Sequence, residues 1–388
     1  MMGVFGMLRL GIIGAGGIAS LHTHNILSGK CPEVQLTAMA DRKESRREWI
    51  RATVPDAAVF CEGSDLIASD TCDAVLIATP HYQHPTLAIE AFRHGKHVLC
   101  EKPAGVYTLQ VRDMIAEADK HPELTFGMMF NQRTNCVYRK AKELMGEIKR
   151  MIWVVTDWYR TQSYYDAGAW RATWDGEGGG VLLNQCPHQL DLLQWLCGLP
   201  VRVRAACHEG KWHDIEVEDD VTAYLEFANG ATGTFIASTG DALGENRLEI
   251  IGTRARIRIE NDQLTLDTLS VDERDWCPVC KEPFGVPDIQ HEIVQTDGEN
   301  PQHAGVLNAF AAHILHGTPL VADGREGIRG LMLSNAMHLS SWTNQTVSLP
   351  IDEELFLKLL NEKRRTSRHK DEVDAAIDVS GSFGSTRK

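Results

Sequence analysis

The chain has 388 residues, a formal net charge of −14 at pH 7, 43% hydrophobic residues and 24% charged residues. This length suggests about two domains, and the composition is that of an ordinary globular protein. The acidic balance argues against nucleic-acid binding, and no apolar run approaches the roughly 20 residues that span a bilayer. The ten cysteines are scattered apart from Cys277 and Cys280, which favours reduced thiols in the cytoplasm.

The first part of the chain, residues 1–130, alternates strand and helix patterns, which predicts an α/β domain with a parallel sheet covered on both faces. The predicted strands are Leu8–Ile13, Gln35–Ala40, Asp73–Ala78, His97–Cys100 and Thr125–Met129. The helices between them include Pro85–His94 and Leu109–Lys120.

Residues 131–361 show a different pattern, typical of an α+β domain built on a mostly antiparallel open sheet. A helix is predicted at Cys136–Leu144, and Asn229-Gly230 is a hairpin signal between two predicted strands. Further strands are predicted at Ile152–Thr156, Val201–Cys207, Val221–Phe227, Ala231–Ser238, Arg247–Ile251 and Arg256–Glu260, and late helices at His303–His316 and Gly327–Asn344. Residues 362–388 are polar and charged and are predicted to form a disordered tail.

A glycine-rich turn follows the first predicted strand, where Gly14-Ala15-Gly16-Gly17-Ile18-Ala19 matches the pattern G-x-G-x-x-A. Gly14 permits a tight turn, Gly16 lets the backbone approach a pyrophosphate, and Gly17 and Ile18 open a helix whose N–H groups face the phosphates. The pattern indicates a Rossmann dinucleotide site. The alternative is an ordinary glycine turn.

An acidic residue, Asp41, ends the second predicted strand, where a carboxylate binds the ribose hydroxyls of a dinucleotide. It favours NAD, because a carboxylate repels the 2′-phosphate of NADP. Arg42 and Arg46 keep NADP open, since either could hold that phosphate. The alternative interpretation of Asp41 is a solvated surface carboxylate.

Two further segments lie just beyond predicted strands, at the edge of the sheet where open α/β sheets bind ligands. The first contains Thr79, Pro80, His81 and His84, and the second is Glu101-Lys102-Pro103. Lys102 comes shortly after the predicted strand His97–Cys100, whose composition is typical of a buried strand, which argues against a simple surface lysine.

A third segment, Gly178–Leu196, carries a glycine run followed by His188 near the start of a predicted helix. Pro187 suits the first helical position, and the helix dipole there disfavours an imidazolium, so a neutral His188 can act as a general base. Asp191 shares a helix face with His188 and is either a catalytic carboxylate or a structural one. His188 itself could instead be a hydrogen-bonded core histidine.

Together these three segments resemble the Gfo/Idh/MocA oxidoreductases, a family that includes glucose–fructose oxidoreductase and inositol dehydrogenases. The resemblance implies that Lys102 contacts both the nicotinamide ribose and the reacting oxygen, that His188 is the catalytic acid or base, and that Trp170 and Arg171 lie near the nicotinamide. Many members carry Asp where Asn184 stands, so a charged dyad through this position is absent. Asn184 can still orient a hydroxyl or the imidazole by hydrogen bonding.

Aromatic and polar side chains are concentrated between Trp158 and Trp174, a composition suited to stacking on sugar rings and binding their hydroxyls. They could instead pack an interdomain core. The candidate substrate-binding residues are Asn131, Arg133, Tyr159, Arg160, Asn184, His188 and His303. Of these, His303 either lines the site or caps its helix.

The sequence therefore predicts an NAD(P)-dependent dehydrogenase that acts on a secondary hydroxyl of a sugar, glycoside or cyclitol, with C3 of a pyranose as the finer expectation. The alternatives are a redox-neutral enzyme that cleaves glycosides with tightly bound NAD, and a non-catalytic dinucleotide sensor. A homo-oligomer is expected, as a dimer, tetramer or larger assembly. No metal site is predicted, because Cys277 and Cys280 supply only half of a zinc ligand set and are better explained as a free pair in a loop.

Overall fold

A computed structural model describes residues 6–368 and residue 370. The N-terminal half forms a six-stranded parallel sheet of order β3-β2-β1-β4-β5-β6. Its strands are β1 (Leu8–Ile13), β2 (Val34–Ala40), β3 (Ala58–Phe60), β4 (Ala74–Ile77), β5 (His97–Cys100) and β6 (Phe126–Met128). The helices between them are α1 (Gly17–Leu27), α2 (Glu44–Thr53), α3 (Gly63–Ala68), α4 (Gln83–Arg93) and α5 (Thr108–Ala118).

The strand order reverses between β1 and β4, which are neighbours in the sheet although β2 and β3 separate them in sequence. At such a switch point the loops after neighbouring strands diverge and leave a crevice at the carboxyl edge of the sheet. The glycine turn after β1, the segment after β4 and Lys102 after β5 all lie at this edge. The predicted Rossmann sheet is confirmed, with the short edge strand β3 as an addition.

The second half forms a nine-stranded sheet of order β14-β13-β12-β11-β7-β10-β9-β8-β15, in which every neighbouring pair is antiparallel except β7 and β10. Its strands are β7 (Ile148–Val155), β8 (Arg202–Glu209), β9 (Glu218–Glu226), β10 (Thr232–Ser238), β11 (Asn246–Gly252), β12 (Ala255–Glu260), β13 (Gln263–Leu269), β14 (Ile289–Ile293) and β15 (Val347–Ser348). The helices of this half are α6 (Cys136–Leu144), α7 (Gln162–Asp166), α8 (Pro187–Cys197), α9 (Glu273–Trp276), α10 (Gln302–His316), α11 (Gly327–Thr343) and α12 (Glu353–Arg365).

Helices cover one face of the second sheet, and one late helix returns to the first. Trp153 of β7 is fully buried and packs edge-on against Phe235 of β10. Helix α10 instead packs on the first sheet, where Phe310 joins the core of Leu10 and Ile12. The N-terminal sheet thus obtains part of its cover from beyond residue 300, because both faces of a parallel sheet must be buried.

The C-terminal boundary predicted at residue 361 is wrong, because α12 continues through Arg365. Its last turn is basic, which suits the negative end of the helix dipole. Beyond it, Arg368 pairs with Asp214, and Lys370 Nζ donates to the Tyr165 carbonyl. The rest of the predicted tail, residue 369 and residues 371–388, lies outside the described residues.

Within the described part of the chain, no helix is both long enough and apolar enough to cross a membrane.

Candidate active site

The glycine turn after β1 has the space and the backbone conformation for a dinucleotide phosphate. Gly14 has φ +91°, and a Cβ there would lie 2.6 Å from the Ala78 carbonyl oxygen, so no larger residue fits. A Cβ built on Gly16 would meet no atom within 4 Å. Helix α1 begins at Gly17 without a side-chain cap. Its first N–H groups therefore remain available to an anion.

Asp41 lies beside this turn at the end of β2. Its Oδ2 accepts a hydrogen bond from the Ala15 N–H at 2.7 Å, and its Oδ1 accepts one from the Lys43 N–H at 2.9 Å. The two nearby arginines have other partners. Arg42 pairs with Glu62 at 2.9 Å, and Arg46 donates to the Ala15 carbonyl at 2.6 Å. Both guanidinium groups that could bind a 2′-phosphate thus already have hydrogen-bond partners in the protein, which favours NAD over NADP.

Lys102 lies at the end of β5, and its Nζ donates to the backbone oxygen of Asn184 at 2.8 Å. Burial lowers the pKa of Lys102, and the carboxylate of Glu101 opposes this shift. Glu101 itself is buried against His22, with 2.7 Å between Oε1 and Nε2. Burial alone would raise the pKa of Glu101, but the hydrogen bond and charge of His22 lower it to about 2. Glu101, expected to bind the cofactor, is thus an ionised buried partner of His22 and Lys102.

His188 occupies the first turn of α8, and its Nδ1 is buried without a hydrogen-bond partner among the described residues. Burial lowers the pKa of His188 well below its usual range, and the charge of Lys102 lowers it further. The ring is therefore a neutral base, and Lys102 lies near enough to influence it electrostatically.

Asn184 lies on a single π-helical turn, Val181–Gln185, between the glycine run and α8. Such turns are rare and occur frequently at functional sites. Buried Glu218 fixes the start of this turn by accepting the backbone N–H groups of Gly180 at 2.8 Å and Leu182 at 2.9 Å. The Asn184 side-chain amide donates to the carboxylate of Glu177. Sequence reasoning missed both glutamates, since no local motif contains them.

Asp191 does not contact His188, which corrects the catalytic interpretation of this carboxylate. Arg133 binds both of its oxygens, with Nε to Oδ2 at 2.8 Å and Nη2 to Oδ1 at 2.6 Å, and Arg133 also contacts Glu326 at 3.1 Å. Asp191 is 1% exposed. Arg133 is likewise buried, and its Nε and Nη2 bind Asp191 and Glu326, which favours a structural role over the predicted contact with substrate.

His84 is also committed to structure rather than to the cofactor. Its Nδ1 lies 2.7 Å from the Pro103 carbonyl oxygen and its Nε2 lies 2.7 Å from that of Thr79. The ring therefore joins the loops that follow β4 and β5. A direct contact between His84 and the cofactor is not available in this arrangement.

Three neighbours of His84 remain at the crevice. Thr79 Oγ1 is buried without a partner among the described residues, and Pro80 is half-buried beside it. His81 Nδ1 donates to the backbone oxygen of Glu177 at 3.1 Å. Its pKa is lowered well below the usual range, chiefly by burial, so the ring is neutral. An unpaired buried hydroxyl at this edge of the sheet fits a bound dinucleotide.

Aromatic rings and guanidinium groups form one wall of the site. Trp170 packs edge-on against His81 with 5.4 Å between the ring centres. Arg171 lies 4.7 Å from the ring of Trp170 and donates to the Tyr164 hydroxyl at 2.8 Å. The guanidinium group of Arg160 lies over the rings of Trp158 and Tyr164, which belong to the same wall. The adjacent Tyr159 is exposed.

Asn131 and His303 lie deeper, at the junction of the two halves. Asn131 Nδ2 donates to Gln302, while its Oδ1 is buried without a partner among the described residues. The His303 ring packs edge-on against His22 with 5.4 Å between centres. Burial lowers the pKa of His303 to about 4. Through His22, the His303 ring is connected to Glu101.

The buried neutral histidines make stability depend on pH. Between pH 6.5 and pH 4 the unfolded chain protonates position 303 while the folded protein does not, so the free energy of unfolding falls as the pH is lowered. We expect His303 alone to contribute about 3 kcal/mol to this loss. Urea unfolding of wild type and His303→Gln at pH 7 and pH 4.5 measures it, and the variant should lose less stability. Replacing the exposed His208 by Gln is the control, and equal losses in all three proteins would contradict the assignment.

Cys277 and Cys280 lie at and beyond the end of α9, and His291 pairs with Asp267 on the neighbouring strand at 2.6 Å. In the described residues, no group of three or more His, Cys, Asp or Glu side chains is placed to hold a metal ion.

Comparison with known proteins agrees with this geometry. The model of an oxidoreductase family with an NAD-binding Rossmann fold matches residues 8–128, and that of the GFO/IDH/MocA C-terminal domain matches residues 138–258. The chain is similar to the myo-inositol 2-dehydrogenase of Thermotoga maritima, with 24% identity over 353 residues that span 88% of this chain and 98% of the relative. It is also similar to the scyllo-inositol 2-dehydrogenase (NAD(+)) of Bacillus subtilis, with 26% identity over 65% of this chain and 73% of the relative.

A solved structure, the WlbA dehydrogenase from Bordetella pertussis in complex with NADH and UDP-GlcNAcA, superposes with a TM-score of 0.74 and 26% identity, and covers 89% of this chain and 100% of that one. The two family models together match more than half of the sequence, one on each side of the crevice. The chain therefore belongs to the Gfo/Idh/MocA family of NAD-binding oxidoreductases.

Proposed function

We propose that the protein is an NAD-dependent dehydrogenase that moves a hydride between a secondary hydroxyl of a sugar, glycoside or cyclitol and the nicotinamide. This proposal rests on one observation: the hydrogen bond from Lys102 Nζ to the Asn184 backbone oxygen, close to the neutral His188. A cation next to a neutral base suits the removal of a proton from a hydroxyl, because the resulting charge is stabilised where it forms.

Each residue then has a distinct task. Bound NAD would supply the hydride acceptor, held by the glycine turn and Asp41. Since Nδ1 of His188 is buried, Nε2 is the nitrogen that accepts the hydroxyl proton. The ammonium group of Lys102 stabilises the negative charge that develops on the substrate oxygen. Asn184 aligns the substrate through a neighbouring hydroxyl, and Trp170 and Arg171 bound the space in which the sugar lies.

The substrate class is supported by two independent observations. The aromatic wall of Trp170 and Tyr164 offers ring faces to the C–H groups of a sugar, and the guanidinium groups of Arg160 and Arg171 bind hydroxyls. The relatives named above act on inositols, and the solved neighbour binds a nucleotide sugar. A pyranose oxidised at C3 is the finer form of the proposal.

The purified protein should be mixed with NAD or NADP and a panel of inositols, free sugars and glycosides, and absorbance followed at 340 nm. We expect NADH to accumulate with a single class of polyol. Consumption of a glycoside without net NADH would replace the proposal with the redox-neutral alternative. Tight binding of NADH without conversion of any compound would replace it with a dinucleotide sensor.

Cofactor preference provides a separate prediction. Asp41→Ala should lower the ratio of kcat/KM for NAD to that for NADP by about tenfold, since about 1.4 kcal/mol of carboxylate repulsion toward a 2′-phosphate is removed. Steady-state kinetics with both cofactors measures the ratio, and Asp56→Ala, an exposed carboxylate after α2, is the control. An unchanged ratio in Asp41→Ala would show that another residue selects the cofactor.

The protein is proposed to act as a homo-oligomer in the cytoplasm. The face of the second sheet that the helices leave uncovered carries Ile152, Val154 and Ile236, and Tyr224, which is 44% exposed. An apolar patch of this kind is a liability for a monomer. All ten cysteines are free thiols, which suits a reducing compartment. Light scattering after size-exclusion chromatography measures the assembly, and a monomeric mass would remove the first part of this proposal.

A further inference from the structure

A buried carboxylate, Glu177, connects three parts of the site. It is 2% exposed, and its Oε2 accepts the backbone N–H of Ala172 at 2.6 Å. Its Oε1 accepts the side-chain amide of Asn184, and its own backbone oxygen accepts Nδ1–H of His81. Ala172 has φ +57°, a conformation that costs energy for a residue with a Cβ. Glu177 therefore holds the Trp170–Ala172 loop and the π-helical turn against each other.

The contact with Asn184 decides which end of that amide faces the substrate. An asparagine side chain has a donor end, Nδ2, and an acceptor end, Oδ1. Because Nδ2 is bound to Glu177, Oδ1 is the end left for a ligand. Asn184 is partly exposed at the crevice, and its backbone oxygen already binds Lys102.

We propose that Glu177 is a positioning residue that fixes the Asn184 amide with its carbonyl oxygen toward the substrate, so that a neutral residue accepts the hydrogen bond of a substrate hydroxyl next to the one that His188 deprotonates. This inference rests on the proposed dehydrogenase function. It also gives a physical reason for an asparagine at position 184. An aspartate there would place a second carboxylate against the buried carboxylate of Glu177, and burial already raises the pKa of Glu177.

Glu177→Gln is the informative substitution, because glutamine has one acceptor oxygen where glutamate has two. If that oxygen remains on the Ala172 N–H, the Nε2 of glutamine faces Asn184. The Asn184 amide must then turn over and present its donor end to the substrate. Asn184→Asp removes the amide donor instead and places two carboxylates, that of Glu177 and the new one at position 184, against each other. The double variant removes both faults, since the glutamine amide can donate to the new carboxylate at position 184 and leave one oxygen of that carboxylate as the acceptor.

We expect each single variant to lower kcat by about tenfold or more, and the double variant to recover to within about threefold of wild type. The dissociation constant for NADH, measured by its fluorescence, should change by less than about twofold throughout, since neither side chain lies at the glycine turn. General damage to the fold would lower NADH binding together with kcat and would give no recovery. Single-variant losses that simply multiply in the double variant would overturn the proposal.

Urea unfolding of the same four proteins at pH 8 gives a readout that needs no substrate. The urea midpoint should fall in Asn184→Asp and rise again when Glu177→Gln is added. If wild type oxidises no polyol while this recovery is seen, the proposed function fails and the pairing of Glu177 with Asn184 stands. If the midpoint falls further in the double variant than in Asn184→Asp, the pairing itself is refuted.

Discussion

Replacing Lys102 by methionine is expected to lower kcat/KM by about 10²–10³-fold, the usual cost of removing one group that stabilises developing charge. Methionine keeps much of the length and apolar volume of lysine but carries no charge. The ammonium group of Lys102 is held at 2.8 Å by the Asn184 backbone and is partly desolvated, which strengthens its field at a reacting oxygen. Binding of NADH should change little, since the proposed cofactor contacts lie mainly at the glycine turn and Asp41.

Steady-state kinetics with the substrate that the panel identifies, together with NADH fluorescence titration, measures both quantities. Lys96→Met is the matched control. Lys96 is a buried lysine of the same domain whose Nζ binds the carbonyl oxygens of Ser69 and Cys72, away from the crevice. A Lys102→Met enzyme that keeps more than about a third of wild-type turnover would remove Lys102 from the chemistry.

Asp191→Ala should lower the free energy of unfolding by about 3–5 kcal/mol, because it leaves the buried guanidinium of Arg133 without its main counter-charge. Burial raises the pKa of Asp191, while the charge and hydrogen bonds of Arg133 lower it. The protein that remains folded should bind NADH normally, since Asp191 faces Arg133 and Gln194 rather than the crevice.

Urea unfolding with residual activity measured on the folded fraction tests this prediction. Asp73→Ala breaks an exposed ion pair with Arg9 and is the matched control, with an expected cost of about 0–1 kcal/mol. Full stability combined with loss of turnover in Asp191→Ala would restore the catalytic role that the sequence left open.

The parallel sheet was predictable because buried parallel strands are continuous apolar runs that end in turn residues. Strands β1 and β5 match their predicted bounds, while β3 has only three half-buried residues at the sheet edge. In the second sheet, β13 alternates polar and apolar residue types from Gln263 to Asp267, and Asn261 and Asp262 before it adopt positive φ in a tight hairpin turn. That Asn-Asp turn could have been used to predict β13 from the sequence. Strand β14 is exposed throughout and so has no burial pattern to detect.

The positions of Gly14 and Lys102 at the carboxyl edge of the sheet were predictable, because each lies in a short motif that directly follows a strand. The site was not predictable where a contact joins distant parts of the chain. Arg133 and Asp191 are 58 positions apart, and nothing local to either indicates that they pair. Glu177 is only seven positions from Asn184, but the glycine run and the start of the π-helical turn lie between them, and no regular spacing brings the two side chains together.

The most direct test of hydride transfer follows an isotope. A polyol that carries deuterium on its carbinol carbons should be incubated with the enzyme and unlabelled NAD, and the recovered reduced cofactor analysed by mass spectrometry. The proposed chemistry predicts one deuterium in each reduced nicotinamide, and a slower rate for the labelled polyol if transfer limits turnover. Product formed with no deuterium in the nicotinamide would show that the carbon–hydrogen bond is not broken by direct transfer, and would contradict the function assigned to Lys102 and His188.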